Sequence, residues 1–421
     1  MSESTGILER ELEVAVAAPV PQPAAHAKAG VSWLPATPVP PAAAPPRLES
    51  IDLLRGLVIA LMALDHVRDF MSTVRSMDTA QMTTAYFLTR VVTHVCAPTF
   101  VFLAGTSAWL TGRRYTAGEL SRFLVVRGIL LIAAEVTIVA FGWFFNTRYL
   151  TTGLGLQVIW VIGASMIALA GLVHVPRRVL LAFGLVLVAG HNTFDPIRPD
   201  DLGAWASAWQ LLHVQGPTTI GAIKVFVAYP LVPWVGVMAL GYVFGPLLAT
   251  PPDPRRRRLL ALGAALTLAF VALRAMNGYG DPNRWSLQSP LGVLSFLDAN
   301  KYPPSLLFLL MTLGPAIASL AWLERWKGPV ARAVACFGRV PFFFYVVHLY
   351  AIHALAVLAG WLQGYPPAAM LDLFLFLPAG YGVPLPGVYA IWAGLMLVLY
   401  LPCRWFGGIK ERRRSPWLSY L

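Results

Sequence analysis

The stretch Ile51–Phe70, IDLLRGLVIALMALDHVRDF, sets Asp52, Arg55, Asp65, His66, Arg68 and Asp69 into an otherwise apolar run. Asp65 and Asp69, at a spacing of four, share one face of a helix, and Asp52 and Arg55, at a spacing of three, can pair as an end anchor. Histidine serves as acid or base near neutral pH, and a neighbouring carboxylate can fix its tautomer and raise its basicity. Asp65 or Asp69 could do this for His66. A second apolar run, THVCAPTFVFLAG over 93–105, brings His94 about one turn inside its own end. If the two helices are antiparallel neighbours, His66 and His94 lie at similar depth.

Three further positions carry chemical potential. Lys301 stands with Tyr302 just before Pro303 and Pro304, residues suited to the opening turn of a helix, and could hold a phosphate or carboxylate. Arg339 and His348 lie in GRVPFFFYVVHLYAIH, near the start and close to the middle of a helix, and Arg55 and Arg339 are candidates for phosphate contacts. His353, five residues on from His348, falls about 140° round the helix, so the two do not share one narrow pocket. Glu135 inside an apolar run calls for a partner, with Arg127 or Arg274 the candidates. The chain has no P-loop, GxSxG or HExxH, and its three cysteines are far apart with no metal-type spacing. No metal is expected.

The elements that must carry these residues follow from composition. Of 421 residues, 57% are hydrophobic and 12% charged, which excludes an ordinary soluble domain and points to an all-α polytopic bundle in a lipid bilayer. Spans of about 20 apolar residues are expected at 52–71, 91–111, 122–145, 154–175, 177–192, 225–249, 257–276, 303–323, 339–361 and 386–406, with Trp205 to Leu212 either interfacial or part of a further span. The net charge of +12 comes from arginine clusters between spans, not from one basic face, so no nucleic-acid partner is expected. Arg113, Arg114, Arg122, Arg177, Arg178, the run Arg255 to Arg258, Arg325, Lys327, Arg332, Lys410 and Arg412 to Arg414 alternate with connections containing Asp78, Asp195, Asp200, Asp201, Asp281 and Asp298. Basic loops face the cytoplasm, which predicts both termini inside and puts His66 and His94 toward the outer face. Residues 1–47, rich in Ala and Pro and without an apolar signal core, are expected to be a disordered cytoplasmic tail, 48–407 the membrane domain and 408–421 a basic cytoplasmic tail.

Five blocks, DLLRG at 52–56, MALDHVR at 62–68, APTFVFLAG at 97–105, KYPPS at 301–305 and FFFYVVH at 342–348, together resemble bacterial membrane proteins related to heparan-α-glucosaminide N-acetyltransferase. The similarity spans about 47–406. It implies a transmembrane acyltransferase of the bacterial cytoplasmic membrane, taking acetyl from cytoplasmic acetyl-CoA to an extracytoplasmic acceptor, a glycan amine or hydroxyl. The catalytic histidine of the eukaryotic enzymes lies in the connection between their first two corresponding helices. This chain has no histidine from Val67 to Thr93, so that role passes to His66, with Asp65 or Asp69, or to His94. The cofactor side is assigned to Arg55, Lys301, Arg339 and His348. A homodimer is left open, and the alternative is a transporter or proton-coupled permease using the same buried groups.

Overall fold

The computed structural model describes residues 48–74 and 83–413. The expected tail at 1–47, Asp78 and residues 414–421 lie outside them. The chain forms α1 (Glu49–Met71), α2 (Thr84–Thr93), α3 (Cys96–Gly112), α4 (Ala117–Ala134), α5 (Ala140–Phe144), α6 (Tyr149–Thr152), β1 (Leu154–Leu156), α7 (Val158–Leu172) and α8 (Arg177–Gly190). It continues as α9 (Ala206–Leu212), β2 (Gly216–Ile220), β3 (Ile223–Val227), α10 (Leu231–Leu248), α11 (Pro252–Met276), α12 (Leu306–Leu323), α13 (Pro329–Arg339), α14 (Pro341–Leu362) and α15 (Leu385–Arg412). The small sheet, in the order β1-β3-β2 with β1 parallel and β2 antiparallel to β3, sits outside the helical bundle.

The fold is an all-α polytopic membrane bundle, but the expected ten spans are too many. Seven helices among the described residues are long and apolar enough to cross a bilayer, or eight if Arg177–Phe194 and Pro199–Leu212, which meet at a 116° bend, count as one span. The shortfall has three physical causes. Helix α7 has 15 residues, about 22 Å at 1.5 Å per residue, shorter than the roughly 30 Å core of a bilayer. Helix α8 ends in the bend. Helix α1 has 23 residues but contains Glu49, Asp52, Arg55, Asp65, Arg68 and Asp69.

Those charges are tolerated because α1 is the central helix. It packs against α2, α3, α12, α13, α14 and α15, so its polar groups face protein. By contrast, the apolar windows of α11 and α15 are only 22% and 17% buried against 67% for α12, which leaves the former two as outer, lipid-facing helices. Close approach to α1 depends on small residues: a Cβ on Gly338 of α13 would strike the Asp52 carbonyl, and one on Gly56 the Val334 carbonyl. Polar groups add interhelical bonds, Thr106 Oγ1 to the Gly241 carbonyl at 3.0 Å and Trp392 Nε1 to the Ala60 carbonyl at 2.8 Å.

Helix ends explain which end is which. Thr116 and Glu119 form a reciprocal capping box on α4, and Ser305 caps α12 by accepting from Phe308 N. The arginine-rich connections gather at one end, tied by Arg255 and Arg256 to Glu324, Lys327 to Glu49 and Arg339 to Glu411. The sheet and the loops with Asp195, Asp200, Asp201, Asp281 and Asp298 lie at the other.

Candidate active site

Helix α1 delivers His66, and α14 delivers His348 to meet it. His66 Nδ1 is 2.8 Å from His348 Nε2, closer than two stacked ring faces can come, so the rings, 18° from coplanar, join edge to edge through an N–H···N bond. His348 Nδ1 lies 2.9 Å from the Phe344 carbonyl, one helical turn back. A carbonyl only accepts, so Nδ1 of neutral His348 holds its proton and Nε2 is bare. His66 must then donate from Nδ1, which leaves its own Nε2 with a lone pair and, among the described residues, no hydrogen bond. Chemically, this is a base or nucleophile whose tautomer is set by the chain. His66 also touches Trp143 edge-on at 5.0 Å between ring centres and Tyr345 at 6.2 Å.

The sequence-based partners of His66 are differently employed. Asp65 Oδ1 accepts from Thr93 Oγ1 at 2.6 Å and from Arg68 at 2.8 Å, its Oδ2 is 3.7 Å from Lys301 Nζ, and Asp69 holds Arg68 at 2.9 Å. Neither carboxylate hydrogen-bonds His66 among the described residues, because Asp65 turns to Thr93 of α2 and to Lys301, and Asp69 to Arg68. Lys301 therefore joins Asp65 instead of the arginines. His94 sits at the break between α2 and α3, packed on Phe308, without ring contact to His66 and, among the described residues, with no hydrogen bond to either nitrogen. His353 bridges the Gly142 and Met370 carbonyls, apart from His348 as its angular spacing requires.

A cavity of about 700 Å³ opens at the arginine-rich end and runs into the bundle. Its wall includes Arg55, Arg114, Arg127, Arg339 and Lys410 against one acid, Glu411. Arg55 hydrogen-bonds Ser107 and pairs with Asp52 at 3.7 Å, and Arg339 pairs with Glu411 at 3.3 Å, while Arg127 and Arg339 each keep a buried Nε with no acceptor among the described residues. Such a wall fits a polyanion, since five cationic side chains outnumber the acid that faces them and guanidinium N–H groups match phosphate oxygens. Of the four residues assigned to the cofactor side, Arg55 and Arg339 line this cavity and Lys301 and His348 do not. The lining also includes Met62 and Tyr345, four and three residues before His66 and His348 on their helices, so the cavity reaches within a turn of the imidazole pair.

Arg127 and Arg114 went unrecognised as site residues in the sequence, as did Tyr345 and Trp143. The expected ion pair of Glu135 with Arg127 or Arg274 is absent among the described residues. Glu135 Oε2 instead accepts the Trp160 N–H at 2.8 Å, at the start of α7. Glu135 opens a π-helical turn, Glu135–Val139, between α4 and α5. Eight α-helical residues would set Trp143 about 80° round from Glu135; the wider π turn absorbs one residue and brings both to the inner face. Arg274 is spent on the loop that carries Lys301, donating to the carbonyls of Asn283, Ser295, Phe296 and Asp298. Asp281, 3.7 Å from it, accepts from Ser305 and from the Asn283 and Asn300 amides, and burial pushes its carboxyl above the usual range.

Residues 47–281, more than half of the chain, match the family model for heparan-alpha-glucosaminide N-acetyltransferase, catalytic. The chain belongs to that family. No curated protein matches it significantly. Membership in this acetyltransferase family agrees with the multi-pass bundle, and the matched stretch contains His66, His94, Arg55, Arg114 and Arg127. His348, Tyr345 and Arg339 lie beyond it, brought to the site by α13 and α14.

Proposed function

We propose that this protein transfers an acetyl group from acetyl-CoA, bound in the arginine-lined cavity, to an amine or hydroxyl of a glycan reaching His66 from the other end. The arginine-rich end and both termini are assigned to the cytoplasm, where acetyl-CoA is made, and the acceptor to the outside of a bacterial cytoplasmic membrane. The observation that carries the reading is the bare Nε2 of His66, its tautomer held through His348, within one turn of a polyanion-fitting cavity. In direct transfer, His66 Nε2 removes a proton as the acceptor nitrogen attacks the acetyl carbon, and the C–S bond breaks to release CoA. In a two-step route the same lone pair attacks the acetyl carbon first, the C–S bond breaks to release CoA thiolate and leave an acyl-imidazole, and the acceptor then takes the acetyl group as the N–C bond to His66 breaks. Arg55, Arg114, Arg127 and Arg339 hold the phosphates, and the Asp65–Arg68–Lys301 cluster shapes the acceptor side.

The test incubates detergent-purified protein with radiolabelled acetyl-CoA and a panel of amino sugars, cell-wall glycans and lipid extracts. Label in an acceptor, abolished by His66→Ala in a protein that still elutes as a folded species, is the expected result. Undiminished turnover in His66→Ala would remove His66 from the chemistry, and no label with any acceptor would favour the permease alternative.

A further inference from the structure

At and just behind the inner wall of the cavity, three buried polar atoms have no hydrogen bond among the described residues: the Tyr345 hydroxyl, Trp143 Nε1 and Glu135 Oε1. The residues are 4%, 3% and 1% exposed, so solvent at the surface does not serve them. Tyr345 lines the cavity, as do Leu131, one turn before Glu135, and Ile159, next to the Trp160 amide that Glu135 binds. Tyr345 and Trp143 both touch the His66 ring. Folded proteins satisfy nearly all buried polar atoms, so three bare ones beside an imidazole pair point to a polar group of a ligand.

The donor pattern says which group. An indole N–H only donates, so Trp143, which like Tyr345 touches the His66 ring, cannot take the phenolic hydrogen, and that hydrogen is left for another acceptor. Glu135 is drawn toward the Trp160 amide, and it makes no hydrogen bond to Tyr345. The acceptor that reaches this point on the acetyl-transfer reading, on which the inference rests, is the carbonyl oxygen of the thioester.

We propose that Tyr345 is a catalytic residue whose hydroxyl donates to the thioester carbonyl oxygen, with Trp143 a positioning residue that directs it. When an acceptor amine attacks, the new N–C bond forms and the carbonyl π pair moves to oxygen, where the Tyr345 O–H meets it. That pair returns as the C–S bond breaks, and the sulfur leaves as thiolate and takes the proton that His66 Nε2 removed from the amine. A donor aimed at charge that develops only in the transition state acts on kcat and leaves substrate binding alone.

The test measures CoA thiol release from acetyl-CoA, with glucosamine and with water alone as acceptor, for wild type, Tyr345→Phe and Trp143→Phe. Tyr345→Phe is expected to lose about 10²-fold in kcat with KM for acetyl-CoA within about twofold, and Trp143→Phe to lose about tenfold in the same parameter. A Tyr345→Phe kcat within about threefold of wild type, or a loss confined to KM, overturns the assignment. Should Tyr345→Phe fail to fold, Trp143→Phe decides by the same kcat criterion. A wild type inactive with both of these and with every acceptor of the preceding panel sinks the acetyl-transfer reading itself, whereas an active wild type with an unaffected Tyr345→Phe sinks only this proposal.

Discussion

At the scale of single residues, the site turns on one proton's position. His348 Nε2 can receive from His66 Nδ1 only because the Phe344 carbonyl holds the other His348 proton. Replacing His348 by Phe removes the acceptor and lets His66 adopt the other tautomer, so kcat should fall by about 10²–10⁴-fold, the range of general acid–base catalysis. His348→Gln, whose amide oxygen can still accept, should recover part of that loss, and equal damage in both variants would show that only packing was disturbed. Arg127 is a separate case: Arg127→Gln should raise KM for acetyl-CoA about tenfold at nearly constant kcat, since a charge-assisted phosphate bond serves ground and transition states alike. A kcat loss with KM intact would take Arg127 out of phosphate binding. His66, Arg55 and Arg339 were legible in the sequence because ionisable groups in apolar runs are costly and stand out. The partner of His66 was not, since helical spacing favours neighbours on the same helix and His348 is 282 positions away. Tyr345 and Trp143 gave no signal, because aromatic residues are ordinary in a membrane helix.

At the scale of elements, α1 is held by contacts that leave no room for a side chain. Gly338 meets the Asp52 carbonyl across the α1–α13 crossing, and this contact sets the height of Arg55 against Arg339. A Gly338→Val substitution forces the helices apart, and overpacking of this kind costs about 1–3 kcal/mol; the expected result is a lower melting temperature in detergent, with weaker acetyl-CoA binding as the cavity wall shifts. An unchanged melting curve would mean the crossing yields freely. The sequence located the helical segments well but their ends less so. The expected span at 225–249 begins as strand β3 and becomes helix only at Leu231, and that at 303–323 begins at Leu306 after a loop organised by Arg274. Such boundaries depend on partners remote in sequence: a buried guanidinium donating to four carbonyls fixes a loop that has no local periodicity.

For the whole molecule, the alternation of basic and acidic connections is the feature with most consequence, because the proposed sidedness of the cavity mouth rests on it. The class of fold was legible from composition, while the number of spans was overcounted, since apolar length alone does not separate a lipid-facing helix from a short inner one such as α7. Sidedness can be tested directly. Arg257 lies exposed at the arginine-rich end and Asp200 exposed at the opposite one, and the native Cys96 and Cys403 are buried and Cys336 half-buried, so background labelling should be low. Arg257→Cys should react with a membrane-impermeant maleimide only in inverted vesicles, and Asp200→Cys only in intact cells. The cavity mouth lies at the same end as Arg257, so this pattern would open it to the compartment where acetyl-CoA is made and leave the acceptor face outside. The reverse pattern would seal the arginine-lined cavity from cytoplasmic acetyl-CoA, and transmembrane acetyl transfer from that side would then be untenable however well His66 and His348 are disposed for it.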